Sequence, residues 1–265
     1  MSETTTLDAP IRAAASDGLR GAIAFEWTKL WTVRSTWWSL AVAVLVSAGS
    51  STALGMSAAA SGKNGIEVTE SAPHVAVYAI TLAQLAILVL ATLTITSEYA
   101  TGSIRTTLQS VPVRGRMLAG KVVVVTGVAF VAGVLLATLG TVVAAPVMGD
   151  HGEFTIVEAS RTAVGVGTYL ALLACFTIGV GTILRSAAGT VTAVILLLVA
   201  FPQIMGLFGV DWLRDTGRYL PNVAGTVLMT HNTDPYGVGT ALTVLGAWAT
   251  FAVAGGYVTL RARDA

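Results

Sequence analysis

The chain has 265 residues, of which 54% are hydrophobic and only 11% are charged, with a formal net charge of +1. Soluble domains are about 25% charged, so a soluble fold of this size would have too few charges to cover its surface, and lipid must cover it instead. A nucleic-acid partner is disfavoured, because a basic binding face would make the net charge strongly positive.

Residues that commonly bind metals are few and scattered. Cys175 is the single cysteine, so an intrachain disulfide is excluded, and the three histidines are isolated from one another. A zinc site needs several converging nitrogen or sulfur ligands, and neither an HExxH nor a CxxC pattern is present. We therefore expect no metal site and no cofactor bound by this chain.

The N-terminal region precedes any membrane span. Residues 1–20 are polar and lack the apolar centre of a secretory signal, so we expect a disordered cytoplasmic tail. Residues 21–36 predict a helix that lies at the membrane interface and carries Glu26, Trp27, Lys29 and Trp31, since tryptophan prefers headgroup level. In this pattern Trp27 and Trp31 belong to the apolar stripe, whereas Glu26 and Lys29 lie away from it. The helix either only anchors the first span or also forms an elbow against a cytoplasmic partner.

Six stretches are long and apolar enough to cross about 30 Å of hydrocarbon as helices. The sequence therefore predicts an all-α integral membrane protein with spans at about 37–59, 75–96, 118–147, 162–184, 187–208 and 238–260, followed by a short tail at 261–265.

The basic residues predict the orientation. Eleven of the fifteen Lys and Arg residues lie in one set of connecting segments and termini. The side richer in Lys and Arg is cytoplasmic, so both termini are expected in the cytoplasm and the protein in the cell membrane.

The span interiors contain no Asp, Glu, Lys or Arg near their centres. Lys121 and Arg185 lie at cytoplasmic span ends, where long side chains are expected to reach the headgroups. Ion-driven carriers usually place ionisable residues in the membrane, so their absence favours an external motor.

Polar and small residues within the spans have two interpretations. Ser47, Ser51, Thr81 and Gln84 either line a transport path or only join helices by hydrogen bonds. The glycines of the third and fourth spans predict close helix packing; they are Gly127, Gly133, Gly140, Gly165, Gly167, Gly179 and Gly181.

The segment after the second span has an ordered pattern: an acid, a glycine, a short amphipathic stretch and a proline. Gly102 permits a sharp turn, and residues 103–110 predict a short helix that stops before Pro112. Glu98 and Arg105 are seven residues apart and would pair if the chain stayed helical. A solvated loop that only sets topology would not need this order, so a functional role is favoured.

The pattern Glu98-Tyr99-x-x-Gly102-x-Ile104-Arg105, followed by Ser110-x-Pro112-x-x-x-Arg116 and Lys121, resembles the first cytoplasmic loop of ABC-2 type permeases. The resemblance extends in layout to the whole chain and implies an exporter-like subunit that pairs with a second permease copy, or a homologous one, and rests on two ATP-binding subunits. ATP would bind those partners, and the loop would couple their closure to the spans. The coupling residues that the resemblance implies are Glu98, Gly102, Ile104, Arg105, Leu108, Pro112 and Arg116.

The fifth span contains Pro202, which predicts a kink, and a half-apolar segment follows at 211–233. This segment resembles the re-entrant outer helices of the same family, and the resemblance implies an outer gate at Pro202, Tyr219 and Pro221. The alternative is an interfacial loop held by Trp212 and Tyr219.

The chain has no GxxxxGK[ST] motif for ATP phosphates, so we expect a transport subunit without its own ATPase activity. A secondary transporter or channel, a membrane-embedded lipid-modifying enzyme, and an immunity or sensor subunit remain alternatives. Neither the substrate nor the composition of the dimer follows from the residues.

Overall fold

The computed structural model describes residues 18–64, 70–104, 107, 113–207 and 210–262. Within these residues all regular structure is helical. The helices, in chain order, are α1 (Gly18–Thr32), α2 (Arg34–Lys63), α3 (Ala72–Thr101), α4 (Arg114–Met148), α5 (Ile156–Leu184), α6 (Ala187–Ile195), α7 (Phe201–Leu207), α8 (Asp211–Gly217), α9 (Pro221–Thr230) and α10 (Val238–Ala262). A 3-10 turn at Gly149–Gly152 follows α4, and a π turn at Leu196–Ala200 joins α6 to α7.

Six helical runs in the described residues are long and apolar enough to cross a membrane, which confirms the predicted number of spans. They are α2, α3, α4, α5, the continuous run from α6 into α7, and α10. The chain is therefore a multi-pass helical membrane protein, with α3 and α5 the most buried spans and α2, α6 and α10 at the periphery.

The first two helices differ from the prediction at their ends. Residues 18–20, expected in a disordered tail, already belong to α1, and residues 1–17 lie outside the described part. The predicted helix at 21–36 is interrupted at Val33, whose extended backbone separates α1 from α2. Thr36 Oγ1 and Trp37 Nε1 donate to the carbonyls of Leu30 and Trp31 at 2.7 and 3.1 Å, which satisfies acceptors that a helix end leaves free.

The predicted kink of the fifth span is a π turn. Pro202 has no N–H to give to the carbonyl four residues before it, and the π turn at Leu196–Ala200 lies where that hydrogen bond is missing. Wider turns of this kind occur where a regular ladder is interrupted.

Glycines set the close contacts between spans, as predicted, with one exception. A Cβ on Gly133 would lie 2.8 Å from the Cα of Gly167, and one on Gly179 would lie 2.3 Å from the backbone of Ala252. These distances are too short for any side chain, so α4 packs on α5, and α5 on α10, through backbone. Gly127 is the exception, because it is exposed and a Cβ there would meet nothing within 4 Å.

The segment before the last span packs into the bundle. A Cβ on Gly225 of α9 would lie 2.3 Å from the ring of Tyr169, and one on Gly165 would lie 2.4 Å from the carbonyl oxygen of Leu228. Tyr169 is thirteen residues into α5, or about 20 Å along it at 1.5 Å per residue. This placement of α9 beside the middle of a span favours the re-entrant alternative over a surface loop.

Candidate functional site

Three helices converge where the predicted coupling loop leaves and re-enters the bundle. They are α1, the last turn of α3 and the second turn of α4. Gly120 of α4 lies against the backbone of Ala22, because a Cβ there would be only 3.1 Å from it. This close approach of α1 to α4 brings Glu26 within reach of Lys121.

Lys121 is the centre of a buried ion network. Its ammonium nitrogen lies 2.6 Å from Oε2 of Glu26 and 2.5 Å from Oε1 of Glu98, and it donates to the carbonyl of Thr94 at 3.0 Å. A lysine ammonium has three donors, and all three are therefore used. Lys29 also donates to Oε1 of Glu98. We call Glu26, Lys29, Glu98 and Lys121 the ion network.

The network joins two positive and two negative charges, of which Glu26, Glu98 and Lys121 are buried and Lys29 is 28% exposed. The side chains of Glu98 and Lys121 are each 1% exposed, and that of Glu26 is 6% exposed. A buried charge is tolerated when it is paired and hydrogen-bonded, and it becomes strongly unfavourable when a partner is removed. The second oxygens, Oε1 of Glu26 and Oε2 of Glu98, are buried and have no hydrogen-bond partner within the described ranges.

The network corrects two expectations from the sequence. Lys121 does not reach the headgroups, since its side chain is enclosed by the two carboxylates. Glu26 lies on the buried face of α1 with Ala22 and Leu30 and not on the polar side. The sequence does contain a signal for buried charges. Glu26 and Lys121 are each a single charge set within apolar residues, as in AFEW at Glu26 and AGKVVV at Lys121.

The expected Glu98–Arg105 pair needed a continuous helix, and the chain does not provide one. α3 ends at Thr101, and Gly102 follows in the left-handed region with φ of 72°. Only glycine adopts this conformation freely. Glu98 is paired with Lys29 and Lys121. Arg105 lies outside the described residues, so its pairing with Glu98 stays a prediction.

The other predicted coupling residues have different positions. Ile104 is buried in the main core and Arg116 is exposed, with its guanidinium against Gly18 of α1. The amide of Thr107 donates to the carbonyl of Ser103 at 3.0 Å, as in one helical turn. Leu108 and Pro112 lie outside the described residues, so the predicted helix at 103–110 is seen only at this turn.

Two further contacts connect the flanks of the loop to other segments of the chain. The guanidinium of Arg185, in the turn between α5 and α6, lies 4.8 Å from the ring centre of Tyr99, a cation–π arrangement. Arg114, at the start of α4, donates to the carbonyl of Leu260 near the end of α10 at 2.6 Å. The flanks of the loop therefore contact α1, the α5–α6 turn and α10.

The predicted path residues are mostly inside the single chain. Ser47 and Ser51 are buried against α4, where Ser47 donates to the carbonyl of Leu136 at 3.2 Å. Gln84 is also buried and accepts a 2.6 Å hydrogen bond from the hydroxyl of Tyr169. Thr81 is exposed. For Ser47 and Gln84 these contacts match the alternative of hydrogen bonds between helices.

The predicted outer gate residues are brought only partly together. Pro221 begins α9 and is buried, and Tyr219 is exposed and stacks on Tyr236 with ring centres 5.9 Å apart. The indole of Trp248 donates to the carbonyl of Tyr219 at 3.0 Å. Pro202 lies at the start of α7, after the π turn.

No group of three or more His, Cys, Asp or Glu residues that could hold a metal ion occurs in the described part of the chain. In comparison with known proteins, the chain matches no protein-family model and no curated protein.

Proposed function

We propose that this chain is the membrane subunit of an ATP-driven transporter of the ABC-2 type, with separate ATP-binding subunits as its motor. Two permease chains would enclose the substrate path, and the direction would be export. The coupling contact would be the loop 98–117, on the cytoplasmic side in the orientation that Lys and Arg predict.

The ion network is the observation that carries this proposal. A loop that receives force must be joined firmly to the helices that it moves. Here Glu98, at the start of the loop, and Lys121, four residues after its end, are bonded to each other and to α1. A topology-setting loop would not need three buried charges, joined by a fourth that is partly exposed, at its base.

The contacts suggest the route of coupling. Movement of the loop would act on α1 through Glu26, on the α5–α6 turn through Tyr99 and Arg185, and on α10 through Arg114. Coupling between distant sites needs an element with two arrangements that both sites bias. Glu26 and Glu98 each have one carboxylate oxygen without a hydrogen-bond partner in the described residues. These oxygens could accept hydrogen bonds in a second arrangement of the ion network.

The experiment is to isolate the chain from the membranes of the organism that encodes it and to identify the proteins that remain bound. We expect a soluble protein with a P-loop, and ATP hydrolysis only when that protein is present. Glu98→Gln should weaken the binding of this P-loop protein to the membrane subunit, or it should make ATP hydrolysis less dependent on the membrane subunit. Hydrolysis by the pure chain, or the absence of any P-loop partner, would refute the proposal.

A second candidate is a proton-coupled carrier, which the same network favours. Buried carboxylates with spare acceptor oxygens at a span end are a feature of proton relays. This weakens the sequence argument that ionisable residues are absent from the spans, since Glu98 and Lys121 are enclosed within the bundle. In vesicles containing only the pure chain, proton flux driven by a pH gradient and lost in Glu98→Gln would support the carrier and contradict the ATP-driven transporter.

A further inference from the structure

An apolar groove runs along the outside of the bundle between α1, α2 and α4. Trp27 and Trp31 line one end, and α4 contributes its floor and one wall from Gly127 to Leu139. The remaining wall is α2, through Leu40, Ala43 and Val44. The groove has a volume of about 680 Å³, and its edges at Val44, Val131 and Leu135 are exposed.

The groove is open because of Gly127. A Cβ at this position would meet nothing within 4 Å, unlike the glycines that pack spans together. Small residues in membrane helices commonly serve close helix contact, and Gly127 makes none in the described structure. Its missing side chain leaves space in the floor of the groove.

The length of the groove matches one leaflet. From Gly127 to Leu139 the groove covers thirteen residues of α4, whose twelve steps of 1.5 Å give a length of about 18 Å. Half of a hydrocarbon core of about 30 Å is about 15 Å. The occupant therefore needs to be apolar along the depth of a single leaflet.

The extent of the groove argues against a spanning helix of a second copy as the occupant. Such a helix would run along the whole length of the spans beside it, whereas the groove covers only residues 40–44 of α2 and 127–139 of α4. An extended hydrocarbon chain needs no more than this length.

One end of the groove has the residues of a headgroup interface. Trp27 and Trp31 contact edge to face with ring centres 5.6 Å apart, and Trp37 lies 5.2 Å from Trp31. Tryptophan collects at the membrane interface. Arg34, exposed at the start of α2, lies between Trp31 and Trp37 in the chain, and a guanidinium suits a lipid phosphate.

We propose that the groove is a binding site for one acyl chain of a phospholipid, with its headgroup at Trp27, Trp31 and Arg34. The lipid belongs to the leaflet on the side of these tryptophans, which is the cytoplasmic leaflet in the predicted orientation. It packs α1 against α4 from the membrane side, while the ion network joins the same helices from the interior. The site needs neither ATP nor a partner protein, so its test is independent of the transporter proposal.

The test uses the full chain in vesicles of phosphatidylcholine and phosphatidylglycerol, with a phosphatidylcholine that carries a photoreactive diazirine on one acyl chain. After irradiation, peptide mapping by mass spectrometry gives the labelled residues. We expect labels concentrated on 127–139 and 40–44. In Gly127→Leu we expect this labelling to fall roughly fivefold, because the leucine side chain fills space that the acyl chain needs.

Gly246→Leu is the matched control, since Gly246 of α10 also faces open space and is not in the groove. It should leave the labelling of 127–139 unchanged. Labels spread evenly over all exposed span residues, or unaffected by Gly127→Leu, would overturn the proposal. A second observation would also overturn it. If Val131→Cys in a Cys175→Ala background forms disulfide-linked dimers and the groove carries no lipid label, a second copy of the chain covers the groove.

Discussion

Lys121 Nζ lies 2.5 Å from Glu98 Oε1, and the two residues belong to the helices on either side of the predicted coupling loop. The contact closes the loop at its base. Glu26 extends the contact to α1, so three helices that are separate in sequence are held at one point.

Lys121→Met should destabilise the protein strongly. Removing the ammonium leaves Glu26 and Glu98 as buried carboxylates without their main partner, and breaking a buried ion pair in this way costs about 3–5 kcal/mol. The lone Cys175 provides the measurement, since a thiol-reactive dye reports thermal unfolding in detergent.

Lys63→Met is the matched control, because Lys63 is exposed at the end of α2 and surface charges contribute about 1 kcal/mol or less. The triple variant Glu26→Gln, Glu98→Gln, Lys121→Met should recover part of the lost stability, since the one charge that remains, Lys29, is 28% exposed and can be solvated. Equal unfolding temperatures for Lys121→Met and the wild type would contradict the buried network.

Gly102→Val should uncouple ATP hydrolysis from the membrane subunit while leaving insertion intact. Gly102 has a φ of 72°, and among the described residues a Cβ there would meet nothing within 4 Å. Valine is therefore expected to act through backbone strain, about 1–3 kcal/mol in this conformation. The loop would leave α3 in a different direction. The measurement is the ATPase rate of the bound P-loop partner with and without the permease chain.

Gly102→Asn is the control, because it adds a side chain with little backbone strain: asparagine tolerates the left-handed region. It should keep most of the coupling. If both variants couple like the wild type, the assignment of this segment as the coupling loop is wrong.

Thr101 and Lys63 should lie on opposite sides of the membrane. Both are exposed and end spans that run in opposite directions, and the distribution of Lys and Arg predicts Thr101 inside. In a Cys175→Ala background, an impermeant maleimide added to intact cells should label Lys63→Cys and leave Thr101→Cys unlabelled. The reverse pattern would invert the orientation and remove the coupling proposal with it.

Gly179→Ala should weaken the packing of α5 on α10. The added Cβ would lie 2.3 Å from the backbone of Ala252, and overpacking of this kind typically costs about 1–3 kcal/mol. Thermal unfolding followed at Cys175 should show a lower midpoint. Gly246→Ala should be neutral or slightly stabilising, because the site is open and alanine favours a helix over glycine.

The sequence was sufficient for the spans because their signal is local. Each span is recognised by about 20 consecutive apolar residues, and the structure places helices over all six predicted stretches. Helix ends were less predictable: α1 begins at Gly18 and α2 already at Arg34, since backbone breaks such as Val33 depend on which carbonyls find side-chain partners.

The candidate site was only half visible in the sequence. Glu98 and Gly102 stand out within the loop pattern, but Glu26 and Lys121 are separated by 95 positions. Their pairing depends on the close approach of Ala22 and Gly120, which no local pattern encodes. For the same reason Gly127 and Gly133 read alike in sequence, although one faces open space and the other packs on Gly167.

By itself the sequence determined that lipid surrounds this chain, how many times the chain can cross it, and which side carries the basic residues, because hydrophobicity and charge act residue by residue. Only the tertiary structure decided which charges are buried together and which glycines leave a groove. These features depend on how helices that are distant in sequence pack against one another. The residues around Lys121 in the chain do not show whether its side chain pairs with two carboxylates or reaches the headgroups.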